Sequence, residues 1–292
     1  TPHRSTRAWV IGFALPALAV TVLFVAIPAV DALRLGFYEW GGLDNRRFVG
    51  FENFSELIGS YALREALLHN LIFAVGVTGG TVVIGGLVAA AIDRRVPAWQ
   101  AFKVICFLPV IMPMTVTGII WANALAPNGG FLNEMLGWIS DDLPRAWLAD
   151  PGTALYALVA VAVWQHAGFP MILLLAGMQA IPRELHEAAT LDGVTAVQRM
   201  RYVILPMIRP VLATVVLLQF IFSFKVFDLV WVMTSGGPGT TTEVAGTFIY
   251  RSAFEYRDFG YASAAAVIVS VLITLISMVY LRIFKPSGLG EW

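Results

Sequence analysis

The stretch Glu187–Pro210, EAATLDGVTAVQRMRYVILPMIRP, decides how this chain is read. It is polar, charged and rich in turn signals, yet it lies between two long apolar runs. Its residues nevertheless spell ordered helix. Pro182 suits the first turn of a helix, where a missing N–H costs little. Glu184 and Glu187 follow near that end, where the helix dipole favours acids. Asp192-Gly193 is a turn pair with glycine at the natural C′ position. Thr195 opens a second helix, with Thr195-Ala-Val-Gln198 in the pattern of a capping box. That helix leads to Leu205-Pro206, and Pro210 precedes the next apolar run. Residues 182–210 therefore read as helix, sharp turn, helix. Ala188 and Ala189 keep one face of the first helix thin, which suits close docking into a groove on another protein. The alternative is an amphipathic hairpin that lies on lipid headgroups.

Outward from this stretch the chain turns apolar. Of its 292 residues 58% are hydrophobic and 13% charged, against about 25% charged in a soluble domain. The mean hydropathy is +0.76. The formal net charge is zero, so bulk electrostatics gives no reason to expect a nucleic-acid partner. Six runs, Trp9–Leu35, Asn70–Ala91, Ala101–Ala126, Thr153–Ala180, Ile204–Met233 and Tyr261–Ile283, approach or exceed the roughly 20 residues that cross a bilayer core as helix. Backbone groups in lipid must be satisfied within the segment, and the alternating pattern of a barrel is missing. The first run reads as a span, not a cleavable signal, because its apolar part is too long. The expected fold is thus all-α: one polytopic membrane domain over residues 1–292 with about six transmembrane helices. The single cysteine, Cys106, reads as a small buried apolar residue. No Cys/His cluster has zinc spacing, so no metal is expected.

Loop charges set the orientation. With the N-terminus in the cytoplasm, Arg4, Arg7, Arg94, Arg95, Lys103, Arg183, Arg199, Arg201, Arg209, Arg282 and Lys285 lie inside. Arg46, Arg47, Arg64, Arg145, Arg251 and Arg257 lie outside, together with most of the acids, among them Asp44, Asp141, Asp142 and Asp150. Both termini then face the cytoplasm, and so does the loop 182–210.

Polar groups inside a membrane helix are costly and point to function. Lys225 and Asp228 in the fifth run are three residues apart, so on one helix they share a face and can pair. Phe224 is among the aromatics around them. Trp164, Gln165 and His166 sit near the middle of the fourth run. Trp121 and Asn123 lie toward the outer end of the third. Aromatic faces combined with hydrogen-bonding side chains suit a polyol. A structural ion pair at Lys225–Asp228, and packing with an interhelical hydrogen bond at Trp164–His166, are the alternatives.

The string Glu187-Ala188-Ala189, then Asp192-Gly193, then Ile204-Leu205-Pro206, resembles the EAA loop of permease subunits in binding-protein-dependent ABC importers. Phe48-Val49-Gly50-Phe51-Glu52-Asn53-Phe54 and Gly177-Met178-Gln179-Ala180-Ile181-Pro182 resemble further segments of that family. Ser235-Gly236-Gly237-Pro238-Gly239 with Gly260-Tyr261-Ala262-Ser263-Ala264 is similar to its carbohydrate branch, of the maltose and glycerol-phosphate type. The resemblance implies the type I importer fold and a coupling loop, carried by Glu187, Ala188, Ala189, Asp192, Gly193, Leu205 and Pro206, that docks on an ATPase subunit. The usual aromatic of the second loop helix falls at Met200 or Tyr202. The implied partners are a second, different permease chain, two cytoplasmic ATPase subunits and an extracytoplasmic substrate-binding protein in a bacterial inner membrane. Thr234–Thr240 is glycine-rich but lacks the lysine of a phosphate-binding loop. The chain is therefore expected to be non-catalytic and to bind no cofactor, with ATP and Mg held by its partners. An ion-coupled transporter or channel is the rival reading. That class uses inverted repeats and helices broken near the midplane, and the sequence shows neither.

Overall fold

The structure, a computed structural model, describes residues 13–43, 45–140 and 145–284. Arg4, Arg7, Trp9, Asp44, Asp141, Asp142 and Lys285 lie outside the described residues. The chain forms two compact units, one drawn from residues up to 64 and from 248–271, the other from 65–247 and from 272 onward.

The first unit holds α1 (Phe13–Leu35), a two-residue antiparallel ladder and α2 (Glu52–Gly59). The ladder pairs β1 (Tyr38–Glu39) with β2 (Arg47–Phe48), setting Tyr38 opposite Phe48. The apolar window of α1 is 0% buried, as a helix facing lipid would be. Carbonyls just past a helix end have no intrahelical donor. Asn53 supplies one: its Nδ2 donates to Gly36 O at 2.9 Å and to Tyr38 O at 3.0 Å.

The second unit contains most of α3 (Tyr61–Asp93), then α4 (Trp99–Phe107), which continues as a 3-10 turn over Leu108–Ile111, and α5 (Met114–Ala124). After α6 (Phe131–Gly137) come α7 (Ala154–His166), α8 (Gly168–Gln179), α9 (Arg183–Leu191) and α10 (Ala196–Arg199). A π turn over Met200–Ile204 and a short turn over Leu205–Met207 lead to α11 (Arg209–Phe224), followed by α12 (Asp228–Thr234) and by α13 (Ala245–Tyr250), which belongs to this unit only up to Thr247. The last helix, α14 (Phe259–Ile283), belongs to this unit from Leu272 onward.

Among the described residues three helices, α1, α3 and α14, are long and apolar enough to cross a bilayer unbroken. Three bent helix pairs meet the same length and composition test only when each is counted as one: Trp99–Ile111 with Met114–Ala124, bent by 103°, Ala154–His166 with Gly168–Gln179, by 44°, and Ala196–Met207 with Arg209–Phe224, by 75°, the first half of the last pair lying in the loop 182–210. The sequence reading expected unbroken spans here, and prolines explain the difference. Pro113 has no N–H to continue the ladder, and Met112 before it is extended at ψ 137°, as a residue preceding proline tends to be. Pro170 and Pro210 lie just past the other two bends, where neither has an N–H to donate back across the bend to the carbonyl four residues earlier. Broken helices therefore do occur in this chain, and their supposed absence no longer weighs against an ion-coupled transporter.

The second unit buries two apolar clusters. Phe73, Leu158, Val161, Leu229 and Val230 form one, and Met171, Leu174, Ile204, Ile208 and Val215 the other. Close approach of backbones replaces the hydrophobic effect in lipid. At Gly85 a Cβ would lie 2.7 Å from Ala167 O and 2.8 Å from Met171 N, so only glycine lets α3 reach the α7–α8 bend.

Candidate functional site

The loop 182–210 is built as its residues dictate. Pro182 is the N-cap of α9 at ψ 138°, one position earlier than expected from the sequence, and its carbonyl accepts from Leu185 N at 3.2 Å. The helix ends in a Schellman pair: Gly193 N donates to Thr190 O at 3.2 Å and Val194 N to Ala189 O at 3.3 Å. This needs a left-handed residue at C′, and Gly193 sits at φ +67°. Both halves of the capping box form. Gln198 N donates to Thr195 Oγ1 at 3.3 Å and Thr195 N to Gln198 Oε1 at 2.7 Å.

The two alanines differ: Ala189 is buried while Ala188 is exposed. Glu187 is exposed and lies 3.9 Å from Arg183, a surface pair worth about 0–1 kcal/mol. Asp192 caps α9, and Leu205 and Pro206 are exposed in the turn before α11. Of the two candidate aromatic-position residues, Met200 packs against the core and Tyr202 is 68% exposed. Leu191 and Val197, in the same loop, are 88% and 75% exposed. An ordered loop thus exposes three large apolar side chains among its charged residues, and none of the described residues covers them.

The second region lies where broken spans meet. A cavity of about 450 Å³ is lined by Met112, Gln165, His166, Phe169, Gln219 and Phe222, among others. A second, of about 310 Å³, is lined by Ile221, Lys225, Phe227 and Asp228. Met114, Leu218 and Phe222 border both, so the two adjoin. Gln165 is fully buried, and its Nε2 donates to Met112 O at 2.9 Å, the carbonyl freed by the Pro113 break. Gln165 Oε1 and His166 Nε2 are buried with no hydrogen-bond partner among the described residues. Orphaned buried polar atoms are rare and need an explanation. Both belong to residues that line the cavity, although neither atom is itself exposed to it.

Of the pathway residues expected from the sequence, Gln165, His166, Lys225 and Asp228 come together at these cavities. The others do not. Trp121 lines a separate, largely apolar cavity of about 300 Å³ with Leu125, Trp147 and Tyr156, and Trp164 packs edge-on against it with ring centroids 5.3 Å apart. Asn123 Nδ2 turns back to Ile119 O at 2.7 Å in its own helix. The Phe224 side chain is 2% exposed, in the core.

Lys225 and Asp228 do not share a helix face. Lys225 is the C-cap of α11 and Asp228 the first residue of α12, with Phe227 between them at φ −141°, ψ −60°. No ion pair joins the two among the described residues. Sequence reasoning also passed over Gln219, whose Nε2 donates to Thr81 Oγ1 at 3.0 Å, and Asn70. Both are amides inside apolar runs, the same signal that singled out Lys225.

A helical membrane chain with proline-broken spans around a polar-walled cavity, and an ordered polar loop at one end, is a transport subunit. The chain belongs to the family described as binding-protein-dependent transport system inner membrane component, whose model matches residues 81–287. It is 36% identical over 280 residues to the probable ABC transporter permease protein YurN of Bacillus subtilis, covering 94% of this chain and 95% of that one. It is 29% identical to the trehalose/maltose transport system permease protein MalF of Thermococcus litoralis, over 92% and 91% of the two chains. In fold it matches a chain in the crystal structure of a bacterial ABC transporter involved in the import of the acidic polysaccharide alginate, with a TM-score of 0.82, 23% identity and 97% of each chain covered. The fold is that of a type I ABC importer transmembrane domain, and the chain is a permease subunit of an ABC importer.

Proposed function

We propose that this permease forms half of the pathway for a sugar or related polyol, and that Gln165, His166, Gln219, Lys225 and Asp228 line it. The observation that carries the reading is a cavity lined by Gln165, His166 and Gln219 that adjoins a second one lined by two ionisable side chains, Lys225 and Asp228. The name of the Thermococcus relative, a trehalose/maltose permease, supports the same class of substrate. In this reading a second permease, a different chain, completes the pore. Two cytoplasmic ATPase subunits bind ATP and Mg, and this chain binds no cofactor. A binding protein delivers substrate from outside. Residues 182–210 are the coupling loop, and the exposed Leu191, Val197 and Tyr202 with Glu187 are the face that meets the ATPase.

Uptake by the reconstituted complex tests it. Glu187→Lys reverses a charge on that face, and Gly193→Val forces a β-branched residue to φ +67°, at roughly 1–3 kcal/mol. Among the described residues of this chain nothing lies within 4 Å of where a Gly193 Cβ would stand, so within the permease the second variant acts through the backbone. Both variants should insert normally, recover less ATPase on co-purification and lose most uptake. Normal ATPase recovery and uptake in both would falsify the coupling role.

Orientation gives a separate test. The charge bias puts Asp192 inside and Asp150 outside. In a Cys106→Ala background, an impermeant thiol reagent should label Asp150→Cys, but not Asp192→Cys, in intact cells. Labelling at position 192 alone would invert the topology.

A further inference from the structure

Span 5 breaks at Lys225–Phe227, between α11 and α12, yet no proline lies there. In an unbroken helix Phe224 O would accept from the N–H of residue 228. Instead it accepts from Asn70 Nδ2, on α3, at 2.6 Å. Lys225 N and Val226 N turn to closer carbonyls, Phe222 O at 3.2 Å and Ser223 O at 3.3 Å, as the helix tightens and ends. A side chain inserted into the ladder is a known cause of a sharp break. The other end of the same amide is also engaged. Asn70 Oδ1 accepts from Ala245 N at 2.8 Å, the first N–H of α13 and one of the donors a helix start leaves free. Next to it, His69 Nδ1 pairs with Glu243 O at 3.0 Å. Asn70 is 0% exposed, so neither bond has water as a substitute.

We propose that Asn70 is a positioning residue for transport. It holds span 5 broken between Phe224 and Asp228, presenting Lys225 and Asp228 to the cavity, and it ties that break to the segment that enters α13. An amide does this because it donates and accepts at once from a fixed separation. Residues 235–244 lie in a loop that the charge bias places outside. A displacement of that loop therefore reaches the break through Asn70, alongside the direct packing of Gly246 against Val226 and Phe227. The proposal rests on reading the Lys225–Asp228 cavity as the substrate path.

The test uses the assembled transporter in proteoliposomes, with Asn70→Leu and Asn70→Ala. Removing the donor leaves Phe224 O buried without a partner, or lets the helix close over it. Either outcome should lower maximal uptake by about tenfold to a hundredfold, while the concentration of loaded binding protein at half-saturation stays near the parent value. A geometric readout is independent of transport: the thiol-labelling rate at Lys225→Cys in a Cys106→Ala background should change by about tenfold when Asn70 is replaced. Unchanged labelling overturns the proposal whatever happens to uptake. Failure of both Asn70 variants to assemble overturns it as well, since Asn70 is then a folding determinant. If Lys225→Met and Asp228→Leu leave uptake intact while Asn70→Leu still shifts labelling, the cavity reading fails and the pin stands.

Discussion

Gly168→Ala should lower the thermal midpoint of the purified chain by roughly 2–10 °C, because overpacking a closed site commonly costs about 1–3 kcal/mol. Gly168 opens α8 at the bend of the fourth span. A Cβ there would overlap Cys106 O and lie 2.9 Å from Phe107 Cα. Both are backbone atoms at the end of α4, so no flexible side-chain tip can yield. The bend would have to open, or the third and fourth spans to separate. Either shift disturbs the bond from Gln165 to Met112 O, so uptake should fall with stability. Gly79→Ala is the control: it changes the same atoms in α3, where a Cβ meets nothing within 4 Å. That variant should be neutral or more stable, since alanine favours helix over glycine by up to about 1 kcal/mol. A Gly168→Ala midpoint equal to that of Gly79→Ala would show that these spans are not in close backbone contact.

Neutralising Lys225 or Asp228 should reduce uptake by about tenfold to a hundredfold, as expected for losing a hydrogen bond to a charged group. Assembled yield should change little. Had the two formed a buried ion pair, removing one would strand the other at about 3–5 kcal/mol, and removing both would restore much of the loss. The structure argues against that outcome. The two residues sit on different helices across a break, both exposed to the cavity and not ion-paired to each other. The double variant, Lys225→Met with Asp228→Leu, should therefore transport no better than the worse single. Recovery of both yield and uptake in the double variant would remove the pair from the pathway and leave Gln165 and His166 as its polar wall.

The number and nature of the spans were legible in the residues because a bilayer imposes one demand on every segment: roughly 20 apolar positions whose backbone bonds close internally. The loop 182–210 was legible for a different reason. Caps are local chemistry, so Thr195 with Gln198, and Asp192 with Gly193, state their bonds within a few residues of chain. Even the Pro182 assignment missed by one position only. The family resemblance likewise rested on contiguous motifs.

The pathway was only half legible, because its geometry depends on contacts between residues far apart in sequence. Spacing put Lys225 and Asp228 on one helical face. The break that separates them is associated with Asn70, 154 residues before the carbonyl it binds. Hydropathy marked Trp121, Trp164 and Asn123 as polar or aromatic intruders in apolar runs. Only the packed structure shows that the first two meet each other at a different cavity and that the third bonds within its own helix. The prolines at 113, 170 and 210 were visible throughout, but a proline states that a rung is missing and not the angle that results. The bends of 103°, 44° and 75° follow from what each half-helix packs against. The sequence by itself determined the membrane class, the spans and the capped loop, through local hydrogen bonding and solvent transfer. Which polar groups face a common cavity was decided by tertiary packing, because an amide buried in lipid is satisfied by whichever backbone the fold brings to it.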